Sequence, residues 1–250
     1  MMNLVLVNTQ EWIRLKFFQT VIYLSFVFIL FSYLLSSLSF SENQRLIVDF
    51  GLAGLEISSL FVSIFFSSYV LHKEIERKTI LVILSRPIPR WKIMVSYFLS
   101  LTLLNSLLVV ILSTTLVAFV FKSVVISSFI FSVINILLKS LVIGSVGLFI
   151  SNAARPLFTV ALVFSYWLLA YSVDDIQYFI KKNQMIDGEW LNYFLNYTVP
   201  QFFEFNWKTY AFVRSPAVLK EVLWSIVHLC LWIVFWLCGA SYLFKRKQIV

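Results

Sequence analysis

Charge is scarce in this chain, and so are the residues that carry out chemistry. Only 13% of its 250 residues are Asp, Glu, Lys or Arg, about half the share found in an ordinary soluble domain. A water-facing surface of this size cannot be built from so few charges, so water is not its main solvent. The two histidines, His72 and His228, have no second ligand at metal spacing, and the chain contains neither an HExxH pair nor a glycine-framed serine. Six glycines, none grouped ahead of a Lys-Ser or Lys-Thr, exclude a phosphate-cradling loop of the usual sort. The two cysteines, Cys230 and Cys238, share one apolar run with neither zinc nor redox spacing, and read as lipid- or helix-facing filler. No catalytic residue and no metal site emerges, and the chain is not expected to be an enzyme.

Apolar residues are abundant instead: 60% of the chain is hydrophobic and its mean hydropathy is +0.90. Crossing about 30 Å of hydrocarbon takes roughly 20 helical residues. Six runs of about that length occur, near 17–40, 50–71, 93–121, 124–150, 157–173 and 222–244. Their Phe, Leu, Ile and Val residues lack the alternation of a barrel strand, so each reads as a helix that satisfies its own backbone hydrogen bonds in lipid. The expected fold class is all-α: one polytopic membrane domain over residues 1–250. Glu11, Arg14 and Lys16 precede a long apolar stretch and not the short core and small-residue cleavage site of a secretory signal, so the first helix is expected to stay in the mature protein.

The charges divide by side. With both termini on one face, that face holds Arg14, Lys16, Lys73, Arg77, Lys78, Arg86, Arg90, Lys92, Arg155, Lys245, Arg246 and Lys247 against three glutamates. The other face carries seven basic residues against eight acidic ones. Basic residues stay on the cytoplasmic side of short loops, which predicts cytoplasmic termini. The pI near 9.5 is thereby explained without nucleic acid, since the positive charge is spread along helix ends and not gathered on a soluble module.

Two stretches do not span. The first, 72–92, reads HKEIERKTILVILSRPIPRWK. Its charged start, short apolar run and paired Pro87 and Pro89 suggest a helix lying in the interface followed by a rigid bend; the plainer reading is a basic loop that only sets topology. The second, 174–220, opens on Asp174, Asp175, Asp187 and Glu189 and mixes aromatic rings with amides. Short helices lying on or dipping into the outer leaflet are expected there, serving either as an aromatic belt or as the wall of an outer exit.

Glu56 and Lys139 fall inside spans, where a charge costs about 2.5 to 3.5 kcal/mol and faces protein or water. Counted from the apolar run edges, Glu56 lies six positions inside its span and Lys139 fifteen inside its own, a depth difference of roughly 13 Å. A direct bridge therefore needs a shifted boundary or snorkelling; otherwise Lys139 reaches water on the basic side or lines a central cavity. Both are the candidate pathway residues. Gly144, Ser145 and Gly147 predict close helix packing.

The order of residues in the 72–92 link resembles the first cytoplasmic loop of permease subunits of type-2 ABC exporters. That loop runs acid, spacer, acid, spacer, Gly-Thr, several apolar residues, then Arg-Pro and Ser-Arg; this chain supplies Glu74, Glu76, Thr79, Leu81, Leu84, Arg86, Pro87 and Arg90 in the same order. It departs in having Lys78 for Gly, Pro89 for a small polar residue, and Ser96 or Tyr97 near a usual Lys. The resemblance implies a coupling helix between helices two and three, with Glu74, Glu76, Thr79, Arg86, Pro87 and Arg90 docking on a cytoplasmic ATPase. It also implies an interfacial helix over 3–16, with Leu4, Leu6, Trp12, Ile13 and Leu15 toward lipid or protein. The chain would bind no cofactor directly: two ABC ATPase subunits would handle ATP and magnesium, and a second permease copy or a paralogue would complete the pathway in a bacterial inner membrane. The substrate is left open. The alternatives are an ion-coupled secondary transporter built on Glu56 and Lys139, although no internal repeat is evident, and a non-transporting membrane scaffold.

Overall fold

A computed structural model describes residues 2–37, 43–77, 89–120, 126–182, 190, 194–195, 197–202 and 218–246. Seven helices hold most of them, and no strand occurs among the described residues. They are α1 (Met2–Ile13), α2 (Lys16–Ser37), α3 (Asn43–Glu76), α4 (Arg90–Val120), α5 (Ile126–Ser151), α6 (Pro156–Lys182) and α7 (Val218–Arg246). Six of these are long and apolar enough to cross a membrane, which defines a multi-pass helical membrane protein. The twelve residues of α1 rise only about 18 Å, too little for a crossing.

The spans outrun the apolar runs that reveal them. α3 begins at Asn43 and not near Phe50, and continues to Glu76, five residues past Leu71. α6 likewise carries on beyond Val173 through Asp174 and Asp175 to Lys182. Hydropathy marks where lipid ends, whereas a helix ends where its backbone hydrogen bonds stop. Arg45 lies 3.8 Å from Asp49 one turn along, a pair of the kind that supports a helix in water.

α3 is the centre of the bundle. Most of its span is buried, as is that of α5, while α2, α6 and α7 leave most of theirs open. α2 runs antiparallel to α3: the Phe17 and Phe65 rings lie 4.6 Å apart, and Ser25 Oγ donates to Ser58 Oγ at 2.6 Å. α4 is also antiparallel to α3, with Leu116 against Gly51 and Asn105 Nδ2 donating to Ser63 Oγ at 2.7 Å. α5 instead lies parallel, because Gly144 approaches Ser63 and Gly147 approaches Ser67 further along both helices. Small residues let these two backbones close up, as the Gly-Ser-x-Gly pattern predicts.

α1 packs against the bundle near one of its ends. Its Val5, Asn8, Thr9 and Trp12 are buried, the Trp12 ring packs 4.8 Å from Phe66, and Val5 C=O accepts from Ser100 Oγ at 3.3 Å. Leu6 is exposed, and Leu4, Ile13 and Leu15 are half-buried against the core.

Gly147 is the tightest of these contacts: a Cβ there would collide with Ser67 Oγ and come 2.7 Å from Ser67 Cβ. Ser67 cannot yield easily, since its hydroxyl donates to Ser63 C=O at 2.7 Å. We therefore expect Gly147→Ala to cost about 1–3 kcal/mol, read as a lowered unfolding midpoint of the detergent-purified protein; an unchanged midpoint would contradict this packing.

Candidate functional site

Two clusters of polar side chains stand out, one deep in the bundle and one at its end. The deep cluster joins α3, α5 and α6. Lys139 Nζ lies 3.5 Å from Glu56 Oε1, and both side chains are almost wholly buried. Tyr171 of α6 donates its hydroxyl to the same Glu56 oxygen, and Lys139 Nζ also sits 5.3 Å from the centre of the Tyr171 ring. One carboxylate thus takes a cation and a phenol, and the cation takes a carboxylate and a ring face.

The two charges are level, contrary to the 13 Å offset expected from the apolar runs. Glu56 is thirteen positions past the start of α3 at Asn43, and Lys139 is thirteen past the start of α5 at Ile126. The register of these parallel helices, set by Gly144 against Ser63 and Gly147 against Ser67, brings Lys139 within a turn of Glu56, and Lys139 needs no snorkelling. Tyr171 was not apparent from sequence, although a phenol within a span always needs a partner for its hydroxyl; that signal was available.

The same level receives part of the long connection between α6 and α7. Leu195, Val199 and Phe202 are buried. Thr198 C=O accepts from Tyr166 at 3.3 Å, Phe202 N–H donates to Ala170 C=O at 3.2 Å, and the Phe202 ring lies edge-on to Tyr171 at 5.7 Å. The non-helical part of this stretch, 199–202, is enclosed by protein in this way, as backbone kept from water requires. Phe202 therefore closes the Glu56–Lys139–Tyr171 cluster from the α6 side. The rest of the connection, apart from Trp190, lies outside the described residues.

At the other end, the ends of α1, α3, α5 and α7 and the starts of α2, α4 and α6 carry Arg14, Lys16, Lys73, Arg77, Arg90, Lys92, Arg155, Lys245 and Arg246 against Glu11, Glu74 and Glu76. Glu11 Oε1 bridges Lys73 Nζ at 2.7 Å and Arg77 Nη1 at 2.8 Å, fastening α1 to α3. This network is not visible in the sequence, because only packing brings α1 beside α3. Burial works to raise the Glu11 carboxyl, but the hydrogen bonds and charges of Lys73 and Arg77 outweigh it and hold it below the ordinary glutamate range. Arg90 Nη1 donates to Lys245 C=O at 3.1 Å, where a helix C-terminus welcomes a cation.

Of the residues expected at a docking surface, Glu74 and Glu76 ride on the last turn of α3, half-buried and exposed respectively, and Arg90 begins α4. Thr79, Arg86 and Pro87 lie outside the described residues. No protein-family model matches the chain, and no curated protein matches it.

Removing one member of a buried pair strands the other. We expect Glu56→Gln or Lys139→Met alone to destabilise the protein by about 3–5 kcal/mol, and the double variant to recover much of that loss; additive losses in unfolding midpoints would show that the two charges act separately. Glu11 gives a pH dependence of definite sign. Its lowered pKa means that the α1–α3 tie is fully present above the ordinary glutamate value of 4.5 and weakens as pH falls through the lowered value. The protection factors of the α1 amides, corrected for the slowing of intrinsic exchange in acid, should therefore fall on acidification in the wild type, while Glu11→Gln should show the lower protection at neutral pH already.

Proposed function

We propose that this chain is the membrane-spanning permease subunit of an ATP-driven exporter, worked by a separate ATPase and located in a bacterial cytoplasmic membrane with both termini inside. The observation that carries this reading is the ordered set Glu74, Glu76, Thr79, Arg86, Pro87 and Arg90 between two long membrane helices. It is supported by the way α3 extends toward that set. At 34 residues, α3 is about 51 Å long, well beyond the roughly 30 Å of hydrocarbon. Its last turn carries two of the acids out to where a partner can reach them.

The mechanism follows from the stiffness of that rod. A push delivered at Glu74 and Glu76 travels along α3 to Glu56, twenty residues or about 30 Å away. There it acts on α5 through Lys139 and on α6 through Tyr171. ATP and magnesium are handled by the partner, two copies of which would face two permease chains. The chain itself supplies the lever, the mid-bundle joint and the walls of the pathway.

One observation favours a second reading. A buried carboxylate–lysine pair between spans is also what an ion-coupled secondary transporter would use. The two readings separate on the energy source, because only the first requires an ATP-hydrolysing subunit.

We expect the full chain, affinity-purified from mild detergent, to bring with it a stand-alone ABC ATPase. Glu74→Ala or Arg86→Ala should lower that association or the coupled turnover severalfold while membrane insertion is retained. Unaltered association and turnover in both variants would refute the docking assignment, and transport driven by a proton gradient without the ATPase would favour the second reading.

A further inference from the structure

Beside the Glu11 network, a cavity of about 450 Å³ opens at the basic end of the bundle. Its size falls in the range of small-ligand sites, and its lining is of two kinds. Phe17, Phe65 and Tyr69 form an aromatic wall, and Lys73, Glu76 and Arg77 form a charged rim. The wall does not stop at the cavity. Phe61, Phe65 and Tyr69 stack along one face of α3 with ring centroids 6.4 and 6.2 Å apart and planes within 22° and 8° of parallel. Phe61 and Tyr69 are both exposed on that face, at 40% and 39%, so the strip runs about 12 Å from the charged rim toward the middle of the span.

An apolar track leading into the membrane, with charges only at its outer end, matches an amphiphile whose head sits at the interface. We propose that this cavity holds the headgroup of a zwitterionic phospholipid, with an acyl chain laid along Phe65 and Phe61. The charges select the head. Glu11 offsets one of the two cations, since its single oxygen contacts both Lys73 and Arg77. Arg77 is largely exposed and directs charge-assisted donors to a phosphate, while exposed Glu76 in the same rim receives an ammonium. Glu11, tied to both cations beside the cavity, and Glu76 on its rim together balance Lys73 and Arg77, so this group of four favours phosphoethanolamine over the bare anionic head of phosphatidylglycerol. Tyr69, at the boundary of rim and wall, has the amphipathic ring common at that depth. This site does not depend on the permease reading, and the test below contains neither ATPase nor transport.

The full chain is to be exchanged into detergent micelles doped with equal amounts of phosphatidylethanolamine and phosphatidylglycerol, and the lipids it retains are to be counted by native mass spectrometry. The wild type should hold one phosphatidylethanolamine per chain in preference to phosphatidylglycerol. Glu76→Lys, which makes the rim positive, should shift the ratio toward phosphatidylglycerol by about tenfold. A phosphatidylethanolamine carrying a photoreactive group near its head should label the wild type within 65–77, which needs no variant to fold. Equal retention of the two lipids, retention of neither, or labelling only elsewhere overturns the proposal. So does a Tyr69→Cys variant that cross-links to a second copy across the cavity, because another chain would then occupy the place given to the lipid.

Discussion

Hydrocarbon will not take a lone charge, and α3 and α5 each carry one inside a span. The Glu56–Lys139 pair is the solution, and much of the bundle is arranged to make it possible. Opposite signs must meet at one depth on adjoining helices, which requires the two backbones to run close and in the same direction. Gly144 and Gly147, seated against Ser63 and Ser67, provide that closeness. Tyr171 and Phe202 then shut the remaining side. The pair is enclosed by protein on faces that would otherwise meet lipid, and in that setting its attraction is little weakened by screening.

The same helix carries a second set of charges at its far end, governed by different physics. Glu11 and Arg77 are reached by solvent, so their contact is weak alone, while Lys73 Nζ is covered. Their effect is geometric. They hold the amphipathic start of the chain against the end of α3, and the cavity forms in the angle between α1, the beginning of α2 and that end. One helix thus has a joint in its middle that excludes water and a foot that uses it.

The number of spans was plain from residue chemistry, because a run of roughly twenty apolar residues has few other uses. The depth of any residue within a span was not. Placing the second span's start at Phe50 discounted Gln44, Arg45 and Asp49, which are polar and still helical. The seven positions from Asn43 to Asp49 amount to about 10 Å, most of the offset expected between Glu56 and Lys139. A hydropathy edge locates the lipid boundary, and only backbone hydrogen bonding locates the helix end. Tyr171 escaped for another reason: an aromatic residue in an apolar run looks like filler until a neighbouring helix supplies a carboxylate. The Glu11 contacts join residues more than sixty positions apart, and nothing local announces them.

The equal depth of Glu56 and Lys139 restricts how these two helices can move. A vertical slip of α3 past α5 by a single helical turn is about 5.4 Å, enough to part the ions and leave each stranded in oil. Rocking about the level of the pair separates them hardly at all, since points near a fulcrum travel least. The pair therefore resists sliding of α3 past α5 far more than it resists tilting about its own level.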